Sequence, residues 1–215
     1  MPTRNLILDW SGTLVDDLGP VVQTTNHVLE RFGQPALTRD EFRREFCLPV
    51  RKFYLARLPQ VALAEVEQLF LNHYPAYRNE IRPLPQTLGF LQFCAASGRR
   101  VFVASSADRQ TYDSQMTRFG LQPYITKAYL GIADKTRQIH EILAENALRP
   151  DETMFVGDME HDIAAGKAGG VRTCAVLTGY NHAAALHAAE PDLVCADLGE
   201  LQQALAEEET VLAHG

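Results

Sequence analysis

Short apolar runs alternate along most of the chain with longer segments in which apolar residues recur at helical spacing. Four runs are typical of buried strands and cover residues 5–8, 100–104, 153–156 and 172–176, with weaker candidates at 125–130 and 192–195. Helical patterns cover intervening segments such as 110–119 and 135–146. This alternation predicts a parallel sheet with helices on both faces, which is a doubly wound, Rossmann-like α/β fold.

Residues 18–80 interrupt this alternation, because they contain only helical patterns. Helices are predicted over residues 20–32, 39–46, 50–58 and 62–80, with breaks at Gly33-Gln34-Pro35 and Leu58-Pro59. Thr38 followed by Glu41 predicts a capping box at the start of the second helix. We therefore expect an α/β core made of residues 1–17 and 81–215, with a small helical domain at 18–80 inserted after the first strand.

Composition narrows the class of partner. A hydrophobic fraction of 46% over 215 residues supports a substantial core, and a formal net charge of -7 argues against nucleic acid or an anionic membrane as the main partner. The four cysteines are widely spaced, which fits reduced thiols. No segment has the pattern of a signal peptide or a membrane span. We expect a cytoplasmic monomer or homodimer that acts on a small molecule.

Candidate chemical groups follow two of the predicted strands. Asp9 ends the first apolar run and is followed by Ser11-Gly12-Thr13, and Ser105 and Ser106 end the second. Ligands of open α/β sheets bind outside the carboxyl ends of the strands. Phosphoryl transfer needs a nucleophile, a countercharge and a divalent metal. A carboxylate such as Asp9 can serve as the nucleophile by forming a covalent phosphoryl intermediate.

Two later segments can supply the countercharge and the metal ligands. Lys135 opens a predicted helix, where its ammonium group can neutralise both the nucleophile and a phosphate. Another apolar run ends in Gly157-Asp158, and Asp162 lies four residues later. Mg²⁺ prefers such oxygen ligands and usually keeps several waters. His161 is expected to be a bystander, since carboxylates and water suit Mg²⁺ better than imidazole does.

Taken in order, these segments resemble the four motifs of the haloacid dehalogenase (HAD) superfamily over nearly the whole chain. Asp9-Trp10-Ser11-Gly12-Thr13 is similar to motif I, Ser105 to motif II, Lys135 to motif III, and the pair Asp158 and Asp162 to motif IV. The helical insert at 18–80 resembles the C1 cap of that family, which closes over the site and selects substrate. The subfamily resembled most is the phosphoglycolate phosphatase-like one.

This resemblance implies a Mg²⁺-dependent hydrolase of a small phosphorylated metabolite that forms an aspartyl-phosphate on its nucleophile. It places Asp9, Ser11 and Lys135 in the catalytic group, and expects the phosphate to meet Ser105, Ser106, Gly12 and Thr13. The metal ligands it implies are Asp9, Asp158, the backbone carbonyl of Ser11, and Asp162 directly or through water.

Ser11 is the departure from the family pattern, which has a second aspartate there as general acid/base. A serine hydroxyl is far too weakly acidic for that task, and general acid–base catalysis contributes roughly 10²–10⁴-fold. Asp16 and Asp17 follow on the linker to the cap as candidate replacements. The first interpretation is a phosphatase with a weakened acid/base, which ranks first because phosphomonoester hydrolysis is the commonest activity that the resemblance implies.

Two other interpretations stay open. Motif I also resembles the Asp-Trp-Ala-Gly-Thr of phosphonoacetaldehyde hydrolase, which cleaves a C–P bond through a Schiff base to a cap lysine, and Lys52 is the only lysine of the predicted cap. A third is a non-catalytic protein that binds a phosphorylated ligand. Independently of these, a basic patch in the cap predicts a clamp for a second anionic group of the substrate, through Arg43, Arg44, Arg51 and Lys52.

Overall fold

The computed structural model describes residues 2–214, with side chains described as far as residue 210. The strands of this part of the chain are β1 (Asn5–Leu8), β2 (Val15–Asp16), β3 (Arg82–Pro83), β4 (Arg100–Ala104), β5 (Lys127–Tyr129), β6 (Thr153–Gly157), β7 (Arg172–Val176) and β8 (Leu193–Cys195). Six of them form one parallel sheet in the order β5-β4-β1-β6-β7-β8.

In the described part of the chain, ten α-helices surround and extend this sheet. They are α1 (Leu18–Arg31), α2 (Arg39–Glu45), α3 (Val50–Arg57), α4 (Leu63–His73), α5 (Thr87–Ala96), α6 (Arg109–Phe119), α7 (Lys135–Glu145), α8 (Glu160–Ala168), α9 (Ala183–Ala188) and α10 (Leu198–His214). Short 3-10 helices cover Tyr74–Glu80, Gln122–Tyr124 and Pro150–Glu152. No helix of the described chain is long and apolar enough to cross a membrane.

Successive residues of a strand point to opposite faces of the sheet, and apolar side chains are buried on both faces. In β1, Leu6 and Leu8 join an apolar cluster with Phe90 of α5 and Leu201 of α10. Ile7 points the other way and joins a second cluster around α7. Helices therefore cover both faces, and the predicted doubly wound α/β class is confirmed.

Helices α1 to α4 bury their apolar faces in a cluster of their own. Its fully buried members include Leu18, Leu29 and Phe42. Two residues from outside the helical segment also belong to it, Met159 before α8 and Tyr180 after β7. The helical segment thus packs over the edge of the sheet at which β6 and β7 end. Its status as a separate inserted domain at 18–80 stays a prediction.

The largest differences from the predicted boundaries lie near the two ends of the helical segment. The helix predicted over residues 62–80 ends at His73, and a 3-10 helix follows, because Pro75 has no N–H to continue the α-helical bonding. The unpredicted strands β2 and β3 pair antiparallel, with Val15 opposite Pro83, and thereby join the two ends of this segment. The capping box of Thr38 and Glu41 is confirmed at the start of α2.

Candidate active site

Three of the predicted site residues follow three adjacent strands. β1 lies between β4 and β6, and its last residue, Leu8, is in register with residues near the carboxyl ends of both. Asp9, Ser105 and Asp158 come directly after these strands. The parallel register therefore brings the three side chains to one edge of the sheet, where open α/β sheets place their ligands.

The centre of the site is a buried group of three carboxylates and one lysine. Asp9, Asp158 and Asp162 each offer an oxygen atom, and these atoms lie within 4.8 Å of one another. Lys135, the first residue of α7, places its Nζ 2.8 Å from Oδ1 of Asp9 and 2.7 Å from Oδ1 of Asp162. All four residues are buried. One ammonium group thus faces three carboxyl groups, so the ionised cluster carries an excess of negative charge.

The surroundings shift the pKa values of this cluster strongly. Burial raises the pKa of Asp9, and the neighbouring Lys135 only partly offsets that effect. Burial also raises the pKa of Asp158, and the nearby Asp9 and Asp162 raise it further. For Lys135, burial alone acts to lower the pKa, but Asp162 and Asp9 outweigh it and hold the pKa above its ordinary value. The lysine therefore carries its positive charge at neutral pH.

Asp158 is held from several sides. Thr13 donates its hydroxyl to Oδ1 at 2.9 Å, and the backbone N–H of Tyr180 donates to Oδ2 at 2.7 Å. A Cβ atom on Gly179 would lie 1.9 Å from Oδ2, and one on Gly12, whose φ is +75°, would lie 2.5 Å from it. Two turns thus close around the carboxylate so tightly that only glycine fits at these positions.

The donor set of this cluster fits Mg²⁺. The ion prefers oxygen ligands in a small, well-ordered site, and excess negative charge favours a divalent cation. Three carboxylates within 4.8 Å, oriented by hydrogen bonds and paired with only one lysine, meet that requirement. The acidic group could therefore hold a metal.

Ser11 adjoins the carboxyl group of Asp17, one of the two candidate replacements for the missing second aspartate that the sequence offers. Its hydroxyl hydrogen-bonds the side chain of Asp17, which also accepts a bond of 3.0 Å from the hydroxyl of Tyr180. Asp17 occupies the N-cap position of α1 but makes no capping bond with its side chain. Burial raises the pKa of Asp17 to about 6, although both hydroxyl bonds act to lower it.

A cavity of about 590 Å³ separates this centre from the helical segment. On the sheet side it is lined by Asp9, Ser11, Ser105, Ser106 and Lys135, together with Met159, His161 and Tyr180. On the helical side its wall is mostly apolar and includes Phe46, Leu48, Val50, Tyr54, Phe70 and Leu71. A bound molecule would thus meet the polar centre at one end and an apolar wall at the other.

The structure does not bring every predicted residue to this cavity. Gly12 and Thr13, predicted to contact phosphate, do not line it, because the Thr13 hydroxyl is fully buried and bonded to Asp158. Arg51 and Lys52 are exposed and also lie outside the lining. The reason is helical spacing, since Val50 and Tyr54, one turn apart on α3, are the residues that face the cavity.

The loop after β7 is the part of the site that sequence reasoning missed. Tyr180 lines the cavity, bonds Asp158 through its backbone and Asp17 through its hydroxyl. Arg43 of α2 donates to the backbone carbonyls of Leu177 and Asn181 in the same loop, at 3.0 and 3.1 Å. The available signal was position alone, because this loop follows the carboxyl end of a predicted parallel strand.

Fold and site together define a doubly wound α/β protein with a buried cluster of carboxylates at the carboxyl edge of its sheet. The chain belongs to the haloacid dehalogenase-like hydrolase family, whose model matches residues 6–176.

Several named proteins are similar to it over nearly their whole length. A phosphoglycolate phosphatase of Synechococcus elongatus is 27% identical over 94% of this chain and 97% of its own. The pyrophosphatase PpaX of Anoxybacillus flavithermus is 24% identical over 94% and 96%. Among solved structures, a haloacid dehalogenase-like hydrolase from Streptococcus pneumoniae superposes with a TM-score of 0.81 at 20% identity, covering 93% of this chain and 96% of that one. This last likeness supports the fold.

Proposed function

We propose that the protein is a Mg²⁺-dependent phosphatase that hydrolyses a small phosphorylated metabolite through an aspartyl-phosphate on Asp9. The observation that carries this proposal is the position of Asp9, which lines the cavity and is paired with Lys135 beside two further carboxylates. Relatives named as phosphatases, similar over nearly the whole chain, support the same chemistry.

The proposed roles follow from the contacts. The carboxylate of Asp9 attacks the phosphorus and displaces the alcohol as its P–O bond breaks, and water then hydrolyses the aspartyl-phosphate to free phosphate and Asp9. Lys135 favours the ionised form of this carboxylate and attracts the phosphate oxygens. Ser105 and Ser106, which also line the cavity, bind those oxygens. Asp158 and Asp162 hold Mg²⁺ together with Asp9 and the backbone carbonyl of Ser11. The ion, when bound, neutralises charge that develops on the transferred phosphoryl group.

The phosphonatase interpretation loses its support, because it requires a lysine that reaches the substrate carbonyl. Lys52 is exposed and outside the cavity lining, and Lys135 is held by two carboxylates that keep it protonated and non-nucleophilic. No lysine of α1 to α4 lines the cavity. The proposal therefore keeps ester hydrolysis alone.

The test is phosphate release from a panel of phosphate monoesters with and without Mg²⁺. We expect Mg²⁺-dependent turnover by the wild type and loss of at least a thousandfold in Asp9→Asn, with Ser11→Asp measured beside them. Full activity in Asp9→Asn would contradict the assignment of Asp9 as the nucleophile. Release only after Ser11→Asp would indicate that the natural chain binds phosphorylated ligands without hydrolysing them.

We also propose a location in the cytoplasm. All four cysteines are free in the structure, and three of them are buried. Unpaired thiols persist in a reducing compartment. Fractionation of the source cells with an antibody against the chain tests this, with recovery outside the cytoplasmic fraction as the contrary result.

A further inference from the structure

The wall that α1 to α4 contribute to the cavity determines which leaving group fits beside the phosphate. Aromatic and aliphatic side chains dominate this wall, and two of its aliphatic residues, Val50 and Leu71, are 39% and 65% exposed. An apolar ligand that covers exposed apolar side chains at the mouth of a cavity removes apolar surface from water, which favours binding. The wall thus offers apolar contact to the part of the substrate that leaves.

This wall supplies no positive charge. Among the described residues that line the cavity, none from α1 to α4 is lysine, arginine or histidine, and the charged one is Glu67. The basic residues of this segment are used elsewhere or point away. Arg43 donates to the loop after β7, and Arg44 pairs with Asp40 on the surface of α2.

On the sheet side of the cavity, the positive charge of Lys135 is paired with carboxylates of the proposed reacting centre. Lys135 contacts two carboxylates, Asp9 and Asp162. His161 lines the cavity, but its Nε2 lies 3.4 Å from Oδ1 of Asp162, next to the same centre. A second anionic group on the substrate would therefore lose its hydration without gaining a cationic partner, and such an exchange is unfavourable.

We infer that the substrate of this site is a phosphate monoester whose alcohol part is apolar and carries no second anionic group. The inference rests on the proposed phosphatase function and names its substrate class. A cavity of about 590 Å³ has room for an aromatic or branched aliphatic alcohol beside the phosphate. Phosphoglycolate and pyrophosphate, the compounds in the names of two similar proteins, both carry a second anion and do not belong to this class.

The binding test uses two phosphonates that a phosphatase does not cleave. Benzylphosphonate represents the apolar class, and phosphonoacetate represents an anionic alcohol part. Calorimetric titration of the wild-type protein in Mg²⁺ should give at least tenfold tighter binding of benzylphosphonate. Equal affinities, or tighter binding of phosphonoacetate, would overturn the inference.

Two matched variants assign this preference to the wall. Leu71 and Leu55 are both exposed residues of this segment, at 65% and 43%, but only Leu71 lines the cavity. Leu71→Arg should lower the ratio of the affinity for benzylphosphonate to the affinity for phosphonoacetate about tenfold. Leu55→Arg should leave this ratio unchanged. An equal effect of both variants would overturn the assignment, because it would indicate a general charge effect.

Turnover separates this inference from the function on which it rests. Benzyl phosphate and phosphoglycolate are supplied to the wild type with Mg²⁺, and phosphate release is measured. A kcat/KM for benzyl phosphate at least tenfold higher than that for phosphoglycolate supports both the phosphatase function and the apolar substrate class. Preferential release from phosphoglycolate overturns the apolar substrate class but supports the proposed phosphatase function. No release from either ester, with the binding preference intact, overturns the phosphatase and keeps the ligand class.

Discussion

At the scale of single residues, Ser11 and Asp17 form the unusual part of this site. An aspartate at a helix N-cap usually accepts bonds from the first turn, which stabilises the helix by about 1 kcal/mol. Asp17 forgoes that bond and instead accepts from the hydroxyls of Ser11 and Tyr180. Its orientation is therefore set by the site, and it is the carboxyl group that adjoins the position from which the family's second aspartate is missing.

Asp17→Asn tests whether this carboxyl group serves the leaving alcohol. If a proton reaches the leaving oxygen from Asp17 by way of Ser11, the variant loses about 10²-fold or more in kcat on benzyl phosphate. It loses much less on 4-nitrophenyl phosphate, whose leaving group needs no proton. Steady-state kinetics on both esters provide the measurement. An equal loss on both would indicate that Asp17 only supports the structure.

Asp17 also predicts a dependence of stability on pH. Burial raises its pKa to about 6 in the folded protein, above the ordinary value of 3.8. Between these two values the unfolded chain has already lost the proton that the folded chain still binds, so this group lowers stability as the pH rises from about 4 to 6. The difference between these two pKa values corresponds to roughly 3 kcal/mol.

Urea unfolding in EDTA at pH 4 and pH 7 measures this contribution. Relative to the wild type, Asp17→Asn should gain about 2–3 kcal/mol in free energy of unfolding between the two pH values. Ser11→Ala serves as a control that keeps the carboxyl group. A pH dependence that is the same in Asp17→Asn and the wild type would contradict the shifted pKa.

At the scale of elements, the loop after β7 fixes the geometry of the acidic cluster. Gly179→Ala should weaken it, because the added Cβ would lie 1.9 Å from Oδ2 of Asp158. We expect destabilisation of about 2 kcal/mol or more and weaker Mg²⁺ binding. Gly89→Ala in α5 meets nothing within 4 Å and should be neutral or stabilise by up to about 1 kcal/mol.

Thermal unfolding and Mg²⁺ titration of both alanine variants check this prediction. Equal stability of Gly179→Ala and Gly89→Ala would contradict the close approach of this loop to Asp158.

The elements that sequence patterns predict well are those whose burial is decided locally. The four strong strand predictions correspond to β1, β4, β6 and β7, because both faces of the sheet are covered and the runs are nearly continuously apolar. The positions of Asp9, Ser105 and Asp158 follow directly, since each comes immediately after such a strand. Order along the chain and parallel pairing are enough to bring them together.

Tertiary contacts decided the features that the sequence did not predict. The direction of Arg51 and Lys52 depends on which face of α3 packs inward, and the burial of Phe53 and Tyr54 turned both basic residues outward. The role of Tyr180 depends on a loop that meets Asp158 and Asp17 from two distant parts of the chain. No local periodicity encodes either arrangement.

At the scale of the whole molecule, the acidic cluster couples metal binding to stability. The chain carries a formal charge of -7, and the site concentrates three buried carboxylates against one lysine. A ligand at 100 times its dissociation constant stabilises a protein by about 2.7 kcal/mol. For a chain of this size we expect Mg²⁺ to raise the Tm by roughly 5–10 °C.

Asp158→Asn provides the comparison for the metal effect. Burial and two neighbouring carboxylates raise the pKa of Asp158, so removal of its charge should leave the metal-free protein at least as stable as the wild type. The same variant should show little or no increase in Tm with Mg²⁺ in a thermal melt. An increase equal to that of the wild type would place the metal elsewhere.

The most direct test of the account is to trap the covalent intermediate on Asp9. The wild type is mixed with Mg²⁺ and benzyl phosphate, quenched in acid within the first turnover, digested and analysed by mass spectrometry. We expect one added phosphoryl group on the peptide that contains Asp9, and none in Asp9→Asn. Turnover with no phosphorylated Asp9 peptide, or with the label on another residue, would contradict it.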